Sequence, residues 1–464
     1  MTEVVVLGGG LAGLSTALIT ARAGHRVSLI ERDPTIPPTD PEDAWSEWER
    51  RGVSQFRMPH FMLAAWTQLM RAELPDVLDE VLAAGGRAIN PLDHVLPRHS
   101  GGHRDGDKRF ASTAARRPVL ESVVGRAAAA QPGLRIHRGE TVRRLLTDGT
   151  AQQRITGVVT RSGDTVPCDV LVDASGRRSA LPDLLAAARL PTPIEERAES
   201  GFVYLSRHFR CRPGGQTPAV VAAFVQDYPE LTILTLPADN DTWSVTFVLS
   251  SRDQQLRAMR DERAWSAALA LFPLAAHWAD AEPLGGVAPI AGIEDRIRDY
   301  APAGRPVVGG LVAVGDSWAS TNPTLGRGTS MALRHAVLLR EVLAGTDDPW
   351  QLGLEWDRRT RAELEPLYRS TAAYDRNRLA AVEAHRLGQP YDGGEAEWRA
   401  TALLAAAARH HPEALRGTLE VTGFLATATE VSARPGMAEL LADAGPARDL
   451  PGPDRAGLLA AVAG

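Results

Sequence analysis

The chain has 464 residues, 44% of them hydrophobic, with 51 Lys and Arg against 57 Asp and Glu and a net charge of −6. That length exceeds one ordinary domain and buries a sizeable core, while the acidic balance excludes the basic face that nucleic acid requires. Cys168 and Cys211 form no disulfide framework, no basic leader precedes the first apolar run, and no stretch approaches the roughly 18 apolar residues of a membrane span, so a cytoplasmic protein without a thiol redox centre is expected.

Residues 4–7 form a short, wholly apolar strand of the buried parallel type. The turn Gly8-Gly9-Gly10-Leu11-Ala12-Gly13 follows. Gly8 permits a tight turn, Gly10 lets the backbone approach a pyrophosphate, and Gly13 lets the next helix pack against the strand. Leu11 and Ala12 open that helix, whose first N–H groups favour a phosphate. Residues 27–30 are the second strand, and Glu31 stands at its carboxyl end, about 20 residues after the glycines, where a ribose-binding acid belongs. Arg32 beside it is placed to stack on adenine. Strand, turn, helix, strand and acid together predict a dinucleotide site.

Helices are expected over 63–84 and 117–130, and strands over 134–136, 155–161 and 165–171, the last two turning at Ser162-Gly163-Asp164. A buried strand at 170–173 ends at Asp173-Ala174-Ser175-Gly176. Four antiparallel strands follow, at 202–211, 219–225, 231–236 and 243–249. In the last, Trp243, Val245, Phe247 and Leu249 share one face. Parallel texture returns at 311–314, then Gly315-Asp316 and a helix from about Gly328. Beyond Leu343 the chain reads as helical, with breaks at 388–394 and 445–453; stripes such as Leu403, Leu404, Leu415 and Leu419 need a partner surface. The fold class is α/β: a Rossmann-like domain with an inserted, mostly antiparallel sheet and a helical C-terminal region. There is no H-x-x-x-H metal pattern and no G-x-S-x-G elbow, so no metal site is expected and no catalytic residue is assigned.

Three segments converge on one cofactor: the opening turn, Asp173-Ala174-Ser175-Gly176-Arg177-Arg178-Ser179, and Gly315-Asp316 followed by Pro323 and Gly326-Arg327-Gly328. Their order and spacing resemble the FAD-dependent monooxygenases of the p-hydroxybenzoate hydroxylase fold over about residues 1–345. Arg50-Arg51-Gly52-Val53-Ser54-Gln55, His60, Arg117-Pro118-Val119-Leu120-Glu121 and the strand from Phe202 to Phe209 are similar to segments of the bacterial polyether epoxidases of the lasalocid and monensin type. Met58 and Trp318 depart from that pattern.

The resemblance implies FAD as cofactor, with NAD(P)H or a partner flavin reductase as electron source. It implies that Asp316 accepts from ribityl hydroxyls, that Pro323 lies beside the isoalloxazine, and that Gly326, Arg327 and Gly328 present N–H groups to flavin N1 and O2. Val53, Gln55, Arg117, Val142 and Asp173 are implied as further cofactor contacts, and His60, Tyr204, Phe224, Phe247 and Trp318 as substrate-lining residues. It implies transfer of one oxygen atom from O2, through a flavin C4a-hydroperoxide, to a small apolar, natural-product-like substrate over a sheet face rich in Phe and Trp. A flavin dehydrogenase or reductase acting without oxygen insertion and a non-catalytic flavin-binding protein are the alternatives; halogenation is disfavoured because Lys108 is the only lysine and no W-x-W-x-I-P segment occurs. The expected division is FAD binding at 1–75, 111–188 and 301–345, substrate binding at 76–110 and 189–300, and a helical region at 346–464.

Overall fold

Val4, Val5 and Val6 are almost wholly buried, as a central parallel strand covered on both faces requires. The computed structural model describes residues 1–463 apart from 392 and 446–448. In it β1 (Glu3–Leu7), α1 (Leu11–Arg22), β2 (Arg26–Glu31), α2 (Arg117–Ala130), β3 (Leu134–Arg138), β4 (Val170–Asp173), β5 (Phe202–Arg210), β6 (Leu231–Pro237), β7 (Thr242–Ser250), β8 (Glu294–Asp299), β9 (Leu311–Ala313), α3 (Gly328–Gly345), α4 (Glu365–Arg386), α5 (Ala396–Ala407) and α6 (Pro412–Thr422) build the site. The dinucleotide-type sheet has the order β9-β4-β1-β2-β3, all parallel. α1 packs on it with α2 and α3 on either side, so the carboxyl ends of β1, β2, β4 and β9 meet at one edge. That edge is where an open α/β sheet binds its ligand.

The second large sheet runs Val225–Asp227, β6, β7, β5, Glu282–Pro283, antiparallel throughout. Its alternation follows the sequence pattern, but its faces are used the other way round. Trp243, Val245, Phe247 and Leu249 pack with Trp265 and Phe272 and with Leu458 and Val462 of the last helix. The opposite face, carrying Tyr204, Ser206, Leu234, Leu236 and Thr246, meets the cavity. Both faces are covered, so the pattern alone does not say which cover is protein and which is ligand space.

Two further expectations change. The helix expected over 63–84 is two, Ala64–Glu73 and Pro75–Ala83. Pro75 lacks the N–H that would continue the first, and Leu74 before it sits at φ −137°, ψ 53°. The strand expected at 219–225 pairs only over Val225–Asp227; its earlier residues are apolar because they border the cavity, not because they join a ladder. The C-terminal helices do find their partner surface: Leu404, Leu415 and Leu419 lie over the cavity, while Leu403 stays exposed. Among the described residues no helix is long and apolar enough to cross a membrane.

Candidate flavin and substrate site

The glycine turn is held from below by a buried ionic cluster. Glu31 at the end of β2 accepts the Gly9 N–H at 2.5 Å and the Asp33 N–H at 2.8 Å, and Arg50 reaches it at 2.7 Å. Arg50 also donates to the Gly9 carbonyl at 2.7 Å and to Glu121 of α2. Arg117 donates to the other oxygen of Glu121 at 2.6 Å. Burial opposes the Glu121 charge, yet the Arg117 and Arg50 guanidiniums hold its carboxyl below the usual range. Gly13 is required for packing: a Cβ there would stand 1.8 Å from the Gly8 carbonyl oxygen. Gly10 is different, since a Cβ would meet only Arg117 Nη2 at 3.9 Å; the room there opens to the cavity.

One cavity of about 1840 Å³ runs along the sheet edge and under the antiparallel sheet. Ordinary small-molecule sites occupy about 300–1,000 Å³, so this space accommodates a cofactor and a substrate together. Gly8, Gly10, Leu11, Ala12, Glu31 and Arg32 border one end, with Val53, Gln55, Arg117 and Val142 along the walls. Asp316, Pro323, Gly326, Arg327 and Gly328 border the middle, and His60, Tyr204 and Phe224 the chamber beyond. Two helices, α1 and α3, start on this cavity, and neither has a side chain capping its first turn. Their free N–H groups and dipoles favour negative charge at both places. Gly326 adopts φ +65° before α3, and a Cβ on Gly328 would meet only Asp316 Oδ1, at 3.9 Å. Asp316 is paired at 4.0 Å with Arg177 and accepts no hydrogen bond among the described residues. A cradle with one anion-binding helix start at each end, open at Gly10 and Gly328 and with an available carboxylate between, fits FAD.

Three expected contacts lie elsewhere. Asp173 is fully buried and off the cavity; the Ser175 N–H and the Ser175 and Ser179 hydroxyls all donate to its carboxylate, so it fixes the turn after β4. Phe247 belongs to the core behind the antiparallel sheet. Trp318 is 6% exposed and packs on His335, ring centroids 5.0 Å apart, inside the main core. Glu31 lines the cavity, but three N–H donors already occupy most of its acceptor capacity.

His60 is neutral: burial and the Arg117 charge lower its pKa to about 4. Its Nδ1 lies 2.8 Å from the Met58 carbonyl and its Nε2 3.4 Å from Arg117 Nη1, so Nδ1–H donates and Nε2 accepts. Phe224 packs at a tilt against Phe61, ring centroids 5.1 Å apart. Sequence reasoning left the roof unassigned: Leu404 and Ala405 of α5, and Leu415, Thr418 and Leu419 of α6. Their stripes were legible, but a stripe facing a ligand looks the same as one facing protein.

The family model for FAD dependent oxidoreductases (DAO) matches residues 3–40, the β1–α1–β2 unit. Protein Rv3254 of Mycobacterium tuberculosis is 28% identical over 392 residues, 80% of each chain. Kynurenine 3-monooxygenase of Salinispora arenicola is 31% identical over 38% of this chain and 36% of its own. Among solved structures, PqsL, a probable FAD-dependent monooxygenase from Pseudomonas aeruginosa, superposes with a TM-score of 0.60 at 19% identity, covering 83% of this chain and 97% of PqsL. The chain thus shares the fold of these FAD-dependent monooxygenases, and its glycine turn lies in the unit that the FAD dependent oxidoreductase model matches.

Proposed function

We propose that this enzyme transfers one atom of O2 to a small apolar, natural-product-like substrate, by epoxidation or hydroxylation, with NAD(P)H or a partner flavin reductase supplying electrons. The carrying observation is that one continuous cavity of about 1840 Å³ has both open helix starts along one part and a largely aliphatic and aromatic chamber along the other. FAD, when bound, supplies the chemistry that activates O2. The chain's own residues bind and orient. Gly10 and the first turn of α1 receive the diphosphate, Glu31 keeps one acceptor site for ribose, and Asp316 receives ribityl hydroxyls. The start of α3 stabilises negative charge on the reduced ring, by up to ~2 kcal/mol when partly buried. Phe224, Leu234, Leu236, Leu404, Leu415 and Leu419 shape the chamber for an apolar substrate, and α5 and α6 above it exclude water. In this reading residues 1–75, 111–188 and 301–345 carry the cofactor, 76–110 and 189–300 the substrate, and 346–464 close the chamber. Lys108 does not border the cavity, so an active-site lysine of the halogenase kind finds no counterpart there.

Oxygen labelling tests the reading against a dehydrogenase or a flavin carrier. NAD(P)H, or a reductase, should bleach the bound flavin anaerobically. Labelled O2 with candidate apolar alkenes or arenes should then leave one labelled atom in the product and none from labelled water. Turnover that continues without oxygen would establish the dehydrogenase instead.

A further inference from the structure

Seven arginines are buried among the described residues, and six of them, Arg50, Arg116, Arg296, Arg298, Arg378 and Arg416, have a carboxylate at 3.6 Å or less. The seventh, Arg327, is 7% exposed and forms no ion pair with any described residue. Its backbone belongs to the cofactor cradle, but its side chain turns toward the roof. Nη1 donates to Thr371 Oγ1 of α4 at 2.8 Å, and the guanidinium carbon lies 5.2 Å from the ring centroid of Phe424, just beyond α6. Phe424 holds φ +61°, a left-handed backbone that bulky residues rarely adopt. Nη1 is the one guanidinium nitrogen with a hydrogen bond among the described residues, and Nε is buried without one.

Nε and Nη2 form the edge of the guanidinium fork that presents two parallel donors, the edge that matches a carboxylate. Elsewhere in this chain the same edge of Arg358 holds Glu355 at 2.7 and 2.5 Å, and that of Arg416 holds Asp107 at 3.0 and 2.7 Å. The acids whose charge reaches Arg327 are Asp375 on α4 and Glu397 on α5, and burial outweighs both. Glu397 already accepts from the Ser370 hydroxyl, the Ala428 N–H and the Thr429 hydroxyl. Asp375 Oδ1 accepts the Asn322 amide at 2.9 Å, and its Oδ2 is buried without a hydrogen bond. The Tyr374 hydroxyl donates to Asp227 at 2.6 Å. The cavity reaches this corner, since Arg327, Ser370, Tyr374, Glu397 and Thr401 border it beside Leu404. A buried charge stays costly until it is paired, so an anionic group entering the corner gains more there than in water-exposed surroundings.

We propose that Arg327 binds a carboxylate of the substrate through its Nε–Nη2 edge, so that the substrate class is apolar carboxylic acids, with the apolar body lying along Leu404, Leu415 and Leu419. The inference rests on the oxygenase reading above for calling the acid a substrate. Thr371 fixes the third nitrogen and Phe424 covers the guanidinium, so the fork is held in one orientation. A monoanion suits the corner better than a phosphate, because one cation stands there and Glu397 borders the same space.

Calorimetric titration of the FAD-loaded protein with decanoate and with 3-phenylpropanoate, each set against its alcohol, tests this without turnover. The wild type should bind each acid at least about 10-fold more tightly than the alcohol, as a hydrogen-bonded charge pair provides. Arg327→Met should abolish that preference while keeping the alcohol's affinity and the FAD content, and Arg327→Lys, which keeps the charge without the fork, should restore only part of it. Thr371→Val releases Nη1 and should weaken acid binding with alcohol binding unchanged; it carries the test if Arg327→Met does not fold. Equal affinity of the wild type for acid and alcohol overturns the inference, and a coupling of Arg327→Met with Asp375→Asn in unfolding would then assign the guanidinium to Asp375. An acid preference that survives Arg327→Met also overturns it, and a lowered flavin midpoint potential in that variant would assign the guanidinium to the reduced ring. Arg327-dependent acid binding without labelled product would overturn the oxygenase reading and leave the carboxylate site standing.

Discussion

Arg50 is 7% exposed and its guanidinium meets Glu31, Asp33, Glu121 and the Gly9 carbonyl, so the glycine turn is shaped as much by this arginine as by its glycines. A buried cluster of this kind is costly to break even where it adds little net stability, because the survivor keeps an uncompensated charge; removing one partner costs about 3–5 kcal/mol. Glu121→Gln should therefore destabilise the protein by that amount in urea unfolding and weaken FAD binding together with it, and a loss below about 1 kcal/mol would show the cluster to be better solvated than its burial implies. At this scale the sequence was readable where backbone geometry dictates residue type. Gly8, Gly10 and Gly13 each have one physical reason to be glycine. Arg50 was visible only as part of a resemblance, because a long cationic side chain reaches distant acids that no local spacing reveals. Asp173 misled for the opposite reason: an aspartate after a buried strand serves a cofactor or its own turn, and here three donors from Ser175 and Ser179 claim it.

Strand β7 separates two functions on its two faces. Phe247 packs edge-on to Trp265, ring centroids 5.5 Å apart, behind the sheet, while Thr246 borders the cavity. Phe247→Ala should cost about 3–5 kcal/mol of stability and leave ligand affinity unchanged once the protein is folded. Thr246→Trp should do the reverse, filling the chamber and blocking substrate with FAD retained. Spectral titration of FAD and substrate, set beside unfolding curves, separates the two effects; a Phe247→Ala enzyme altered mainly in substrate affinity would contradict this assignment of faces. The alternation was legible and the orientation was not, since the aromatic face is covered by the Glu262–Leu269 helix, which lies between strands of the sheet, and by the last helix, Arg455–Ala463, which comes from far along the chain. The break at Leu74-Pro75 was legible from the proline.

The walls of the 1840 Å³ cavity come from most of the chain, and its last quarter supplies the roof. Truncation after residue 348 should remove the roof and expose apolar surface of α3 and the antiparallel sheet, yielding insoluble protein; a soluble, FAD-loaded truncation would make the C-terminal region an appendage. Acid stability is also a property of the whole. His208 and His335 are buried and His60 is half-buried at the cavity wall, and desolvation lowers the three from 6.5 to about 3, 3 and 4. The unfolded chain takes up these protons first, so their contribution to stability is present above about 6.5 and is lost as pH falls through their folded values. His335→Gln should flatten the decline in unfolding free energy between those limits, and an unchanged slope would show that His335 is accessible to protons in the native state. The FAD end of the cavity was legible because phosphate and ribose recognition use local backbone motifs; the chamber was not, because its walls come from β5, β6, β7, α5 and α6, which only the fold brings together.

Both helix starts and the cavity between them are shaped for FAD. Denaturing the purified protein and identifying the released cofactor by chromatography and mass spectrometry tests this most directly. The expected result is yellow protein that releases FAD in a one-to-one ratio, and Gly10→Val protein that is folded but releases none, because the valine side chain fills the room left for the diphosphate. Release of FMN, absence of flavin from the wild type, or full FAD retention by Gly10→Val would contradict it.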